Sequence, residues 1–347
     1  MPVPFADAGT KNTIPVASQT GITPGAASFT TGFPPLTFTP VAAGGIPPFG
    51  ADFNGIYNAI TQAVRWANAG GQYVYDSQFA TAVGGYPKGA LIQRSTLDGF
   101  WLNTTEGNST NPDTGGGGWV DALAGRLIAI RTFNAPGTTT YTPDARAKKL
   151  RVITIGGGGG GGGCGMSTTG NATGGGGGAS GSYIESNLID VPSSPVAVTI
   201  GSGGAGGVGV SNGIDGGTTS FGALISCHGG APGGGGAGGA GRTPGGGLVT
   251  LPTATISTVI LSAGTAGMPG LSYGNTTQQS AIVVGGGGGS TPYGSGANWQ
   301  LASSNGVPIL SGLGNAGGGG GGAASSGAGA ANGSAGAPGA VYIYEYA

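Results

Sequence analysis

Charge is what this chain has least of: 347 residues carry only 11 Lys and Arg, 12 Asp and Glu and one His, for a formal net charge of −1. With no basic stripe anywhere, an electrostatic partnership with nucleic acid or an anionic membrane surface is excluded as an expectation. Cysteine is nearly absent too. Cys164 and Cys227, in a chain whose first thirty residues are broken by Pro2, Pro4, Pro15 and Pro24 and hold no signal-peptide core, read as reduced thiols and not as a disulfide framework. One histidine and two distant cysteines give no metal-ligand set. No apolar run approaches the roughly 18–20 residues that cross a bilayer, so no membrane insertion is expected.

The same scarcity argues against catalysis. From residue 151 onward the charged residues are Arg151, Glu185, Asp190, Asp215, Arg242 and Glu345. Glu185 and Asp190 fall on one expected strand at a spacing that sends them to opposite faces, so they make no glycosidase pair. Asp98, Glu106, Asp113 and Asp121 sit among turn residues. Cys227 and His228 are adjacent, hence on opposite faces of a strand, and read as a core thiol beside a surface histidine. The glycine runs invite a phosphate-loop reading, but no lysine follows Lys149 to complete it. No enzyme and no cofactor are expected.

What is present in excess is glycine. Of 84 glycines, 21 lie in residues 1–150 and 63 in residues 151–347. Collagen is excluded because no Gly-X-Y period runs through them, and disorder by the apolar, β-branched segments between the runs. Ordering this much glycine opposes folding by roughly 0.5–1 kcal/mol per residue relative to alanine. Two offsets are open: strands buried in an oligomeric β-structure, or glycine segments packed as polyproline-II-like helices that only a missing side chain permits.

Read in order, residues 1–50 are an extended arm rich in Pro, Gly, Thr and Ala. Residues 51–71 form one short helix, with Asp52 as N-cap, Gly70 and Gly71 as stop, and Phe53, Ile56, Tyr57, Ile60 and Val64 on one apolar stripe suited to an oligomer axis. Residues 72–149 form a small β-rich unit with strands near 72–75, 90–95, 100–103 and 127–133, and Trp101 and Trp119 as core candidates. In residues 150–347, strands at 150–155, 196–200 and 281–284 run into glycine and a last strand spans 340–346. Phe221, Ala223, Ile225 and Cys227 share one face of a further strand.

Several runs together resemble tail fibre proteins of tailed bacteriophages and prophages: GIPPFGADFNGIYNAI from Gly45 to Ile60, RWANAGGQ from Arg65 to Gln72, GGYPKGA from Gly84 to Ala90, and Asn111-Pro-Asp113 before Gly118-Trp119. The remainder, from KLRVITIG at Lys149 to GAVYIYE ending at Glu345, resembles the glycine-rich C-terminal domain of such fibres. The resemblance implies a mainly β homotrimeric fibre made in the host cytoplasm and carried on the distal tail of the virion. Its arm meets tail-tip or baseplate proteins, a short axial helix and small β stem follow, and a glycine-rich tip binds a host surface receptor that is glycan, pilus or outer-membrane protein. It carries over no receptor site. From the residues themselves, the contact candidates are aromatic and amide side chains between glycine runs: Tyr273 and Asn275, then Tyr293, Asn298, Trp299 and Gln300, with a buried role equally open for Trp299. A purely structural tail protein and a fibre that cleaves surface glycan are the alternatives.

Overall fold

The computed structural model describes residues 2–165, 172–237, 241–247, 250–274, 281–302, 306–309, 316–326 and 329–347. The chain divides into two compact units, Met1–Leu123 and Ala124–Ala347. The division places 124–149, read from sequence with the small β unit, in the glycine-rich one.

In the first unit, helix α1 (Gly50–Asn68) forms where the sequence placed a helix, but its start is built differently. Its N-cap is Phe49, with no side-chain cap, and Asp52 lies buried inside the first turn. There Asp52 accepts hydrogen bonds from Asn12 Nδ2 and from the Ala27 N–H, each at 2.7 Å, tying two points of the arm to the helix. Asn58 Nδ2 donates to the Phe5 carbonyl at 2.6 Å, and Gly55 touches the Asn12 carbonyl where a Cβ would stand only 2.0 Å away. The arm is therefore not extended. It turns repeatedly, forms short 3-10 helices at Pro35–Phe38 and Val41–Ala43, and covers the polar face of α1. The apolar stripe is covered only in part: Phe33 packs on Phe53 and Phe5 on Tyr57, with ring centroids 4.7 and 5.4 Å apart, yet Phe53, Tyr57, Ile60 and Val64 are exposed and Ile56 is half-buried. Beyond Asn68 the chain reverses through Gly70 at φ +81°, and Gly71 donates back to the Trp66 carbonyl, the glycine stop that the sequence implied.

A second helix, α2 (Ser77–Val83), was not foreseen. Asp76 caps it by accepting from the Gln78 and Phe79 N–H groups. Residues 72–75 make only a single bridge, Val74 to Gln93, and no strand. Strands β1 (Leu91–Gln93), β2 (Phe100–Asn103) and β3 (Trp119–Asp121) form an antiparallel sheet in that order. Trp119 joins Ala80, Tyr86 and Ile92 in the buried core and Trp101 packs against it, as their composition implied.

The second unit starts as a sandwich. One sheet orders β15 (Thr258–Ser262), β8 (Tyr183–Ser186), β6 (Lys149–Ile155), β21 (Ala340–Tyr346) and β4 (Leu127–Phe133), with β9 (Ile189–Asp190) also on β6. The other orders β14 (Thr253–Ala254), β12 (Ile225–Cys227), β11 (Thr219–Phe221), β10 (Val196–Ile200) and β5 (Gly137–Tyr141). Leu150, Val152, Val341 and Ile343 meet Val198, Phe221, Ile225 and Cys227 between them. The expected single strand over 221–227 is instead a hairpin that pairs Phe221 with Ile225 and leaves Ala223 exposed in the turn. Glu345 is inside the sandwich, where its Oε1 accepts from Tyr141 Oη at 2.8 Å.

Where β6 ends, the glycine begins to act as a lattice. Gly156, Gly159 and Gly162 donate to the carbonyls of Ser182, Ala179 and Gly176; Gly157, Gly160 and Gly163 donate to Gly217, Ile214 and Ser211; Gly158, Gly161 and Cys164 donate to Ala337, Ser334 and Ala331. In return Gly204 and Gly207 donate to Gly158 and Gly161, Gly230, Gly233 and Gly236 to Gly157, Gly160 and Gly163, and Gly320 and Ala323 to Gly159 and Gly162. Every third residue faces the same neighbour, which is the signature of a three-residue-per-turn helix with no internal hydrogen bonds. Segment 156–165 thus has six neighbours, three antiparallel acceptors and three parallel donors. Of the two ways to offset the glycine, the lattice is packed helices of the polyglycine II kind.

Far from the sandwich these segments feed two further sheets. One orders β13 (Gly241–Thr243), β16 (Gly270–Gly274), β17 (Ala281–Gly285) and β18 (Gln300–Ala302); the other orders β19 (Gly306–Ile309), β20 (Ala324–Ser326) and β7 (Ala172–Gly174).

Candidate functional site

The sheet containing β16, β17 and β18 is where the lattice presents side chains. Its register sets Leu271 opposite Val284 and Val284 opposite Leu301, with Tyr273 opposite Ile282 on the same face. The alternate residues Val283 and Ala302 point inward and are buried with Ala172 and Ala324. The outer face is correspondingly bare: Tyr273 is 76% exposed, Ile282 59%, and Leu271 and Leu301 49% each. Trp299, just before β18, is 56% exposed.

Beside Trp299 lies a cleft of about 300 Å³ lined by Met268, Pro269, Leu271, Val284, Gly286, Gly287 and Trp299. Glycine makes its floor. A Cβ on Gly286 would stand 2.0 Å from the Met268 carbonyl, and one on Gly287 would meet Met268 Sδ at 3.3 Å. The recess exists because the lattice rule continues to the edge of the sheet. None of these lining side chains carries a charge, and the cleft is apolar throughout.

The structure separates the sequence candidates. Tyr273, Asn298, Trp299 and Gln300 gather at this sheet; Asn298 is exposed and Gln300 half-buried. Tyr293 is elsewhere, at the sandwich end, stacked between Tyr183 and Tyr342 with ring centroids 5.8 and 5.6 Å apart. Asn275 lies outside the described residues. The sequence reading missed Met268, Leu271, Ile282, Val284 and Leu301. Period-2 alternation across 281–284 could have flagged the two of them on β17, but a four-residue apolar run reads equally well as a buried strand.

Several ionisable groups of this unit serve the fold. Glu185 sits on β8, not on one strand with Asp190 of β9. Burial acts to raise the Glu185 carboxyl, yet hydrogen bonds from Arg151 and Tyr183 Oη outweigh it and hold the group below the usual glutamate range. Asp190 instead meets Lys149 at 2.7 Å on the surface. Cys227 donates from Sγ to the Thr154 carbonyl at 3.2 Å, and burial pushes its thiol up to about 12, the behaviour of a core thiol. His228, expected at the surface, is half-buried, and its carbonyl accepts the Ser182 N–H. In the first unit Asp113 accepts from Trp101 Nε1 at 2.8 Å and Asp121 pairs with Arg94 at 2.6 Å, so these carboxylates also hold the fold. Among the described residues no group of three or more His, Cys, Asp or Glu could hold a metal ion.

A family model described as a glycine-rich domain matches residues 132–346. No curated protein matches the chain. The matched span opens within β4 and closes at the end of β21, so it takes in the lattice and all strands of the sandwich except the first part of β4, and the chain belongs to the glycine-rich domain family.

Proposed function

We propose that this protein is a virion tail fibre, carried on the distal tail, whose glycine-rich unit binds a receptor on the host bacterial surface. The observation that carries the reading is the outer face of the β16–β17–β18 sheet: an apolar, aromatic, uncharged surface held at the far end of a lattice whose core is backbone. Such a scaffold fixes contact groups at little side-chain entropy cost, and Tyr and Trp are the residues that dominate recognition energetics. The resemblance of residues 45–60, 65–72, 84–90 and 111–119 to phage tail fibres supplies the biological setting. Multiple weak contacts gain from several copies acting together.

Assembly is proposed through α1. A helix that buries Asp52, Gly55 and Asn58 under its own arm still exposes much of its apolar stripe: Ile60 and Val64 are bare, and Phe53 and Tyr57 stay exposed although Phe33 and Phe5 of the arm pack on their rings. Three copies about a common axis bury that stripe, at about 25 cal/mol per Å² of apolar surface removed from water. The arm, with Val16, Ile22, Phe38 and Val41 exposed, then meets tail-tip or baseplate proteins.

Fluorescently labelled full-length protein, beside a truncation ending at Leu123, is to be titrated onto a panel of bacterial strains. Saturable, strain-selective labelling by the full-length chain alone is expected, with the surface polysaccharide left intact after incubation. Labelling of no strain by verified trimer removes the receptor reading, and shortened polysaccharide chains replace adhesion with cleavage. Ile60→Lys is expected to convert trimer to monomer in light scattering coupled to size exclusion. A trimer that persists in this variant takes α1 off the axis.

A further inference from the structure

The cleft beside Trp299 narrows the class of receptor. We infer that the β16–β17–β18 face engages a protein on the host surface, which inserts one large apolar side chain into the recess between Met268 and Trp299. This rests on the receptor-binding reading and specifies its partner.

The case is one of complementarity in size and charge. A recess of about 300 Å³ with a glycine floor accommodates a single leucine, phenylalanine or tryptophan side chain with the ends of its neighbours. Polysaccharide recognition needs hydroxyl and amide partners converging on each sugar, whereas the lining offers Met268, Pro269, Leu271, Val284 and Trp299 over bare glycine. An anionic glycolipid needs cations, and none of these lining residues is cationic. A bilayer is entered by protruding segments, and here the apolar residues lie across a paired sheet beside a cleft. An aromatic or aliphatic anchor seated in an apolar cleft, with Tyr273, Ile282 and Leu301 exposed on the same sheet face as its lining residues Leu271 and Val284, is the arrangement of a protein–protein hot spot.

The test uses full-length protein on a strain that it labels saturably. Cells are treated with proteinase K or with periodate, and liposomes made from lipids of the same strain serve as a third target. Labelling is expected to vanish after protease, to survive periodate, and to be absent on liposomes. Trp299→Ala and Leu271→Asn are each expected to weaken apparent affinity about tenfold or more, with Trp299→Phe recovering most of it. Val259→Ala, an equally bare aliphatic at the sandwich end, is expected to bind as the parent does. Matching melting temperatures across the set separate lost contact from lost fold. Labelling that is lost to periodate and spared by protease, binding to liposomes, or unchanged affinity in both Trp299→Ala and Leu271→Asn would falsify the inference while leaving the receptor reading intact. Absence of labelling on every strain overturns both.

Discussion

The two units of this chain solve the same problem with different atoms. In Met1–Leu123 order comes from side chains: Asp52 ties the arm to α1, Asp76 caps α2, and buried Asn103 donates from Nδ2 to the carbonyls of Tyr86 and Pro87 beneath the β1–β2–β3 sheet. In the glycine lattice of Ala124–Ala347 order comes from the main chain, where each residue from Gly156 to Gly165 donates to another segment. Net worth per hydrogen bond is similar in both, about 0.5–1.5 kcal/mol. What differs is how sequence encodes it. A side-chain network specifies by adding particular groups, and a backbone lattice specifies by excluding all of them.

The contrast is broken most severely by adding a methyl group where the lattice has no room. A Cβ on Gly161 would lie 2.0 Å from the Gly321 carbonyl oxygen and 2.3 Å from its carbon, and neither atom can move without shifting a segment hydrogen-bonded on several sides. Gly161→Ala is expected to cost about 3 kcal/mol or more, at or beyond the upper end of the usual overpacking range, and to appear as lost soluble yield or a sharply lower melting temperature. Gly329→Ala adds the same atom where nothing lies within 4 Å, and is expected to be neutral. Equal melting temperatures for the two variants would show that the lattice yields locally, and the exclusion argument would fail.

A smaller effect sharpens the comparison from inside the second unit, at the charged pair of Arg151 and Glu185. The Glu185 carboxyl is held below its ordinary value of 4.5 by Arg151 and Tyr183, so the folded state binds its proton more weakly than the unfolded state does. Its stabilisation is therefore full above the unfolded value and is lost as pH falls through the lowered folded one. Glu185→Gln is expected to lower stability at pH 7 by about 1.5–3 kcal/mol, the worth of hydrogen bonds to a charged group. The deficit should shrink steadily below pH of about 4.5. Chemical denaturation of both proteins at pH 7 and pH 3.5 measures it, and a deficit independent of pH would assign the loss to packing.

Much of this architecture was legible because strands announce themselves by pattern. β2, β4 and β10 fall where short apolar runs bounded by turn residues placed them, β21 where alternation did, and the glycine stop of α1 follows from Gly70 and Gly71. What was illegible depended on long-range partners. Asp52 looks like a cap in sequence, and only the return of Asn12 and Ala27 to it makes it a buried clasp. Glycine runs state that side chains are excluded without saying by what, so the lattice was one of two open answers. The candidate site was half visible. Trp299 and Tyr273 stood out as aromatics among glycine, but the aliphatic rows around them needed the register of β16, β17 and β18 to become one face.

The smallest expected effect returns to the side-chain unit and to the helix that the sequence hid. Helix α2 has only seven residues, too few to be stable alone, so its start depends on Asp76 accepting from the Gln78 N–H at 2.8 Å and the Phe79 N–H at 2.9 Å. Asp76→Ala leaves those donors to water and removes a negative charge from the helix N-terminus, for a loss of about 1 kcal/mol. Asp76→Asn keeps an acceptor oxygen and is expected to recover most of it. Because Ala80 of α2 is buried against Tyr86, Ile92 and Trp119, the loss should be read by Trp fluorescence of the first unit and leave amide exchange in the glycine lattice unchanged. If Asp76→Ala also accelerates exchange at Gly158–Gly162, the two modes of order are coupled, and the contrast between them describes composition and not independent stability.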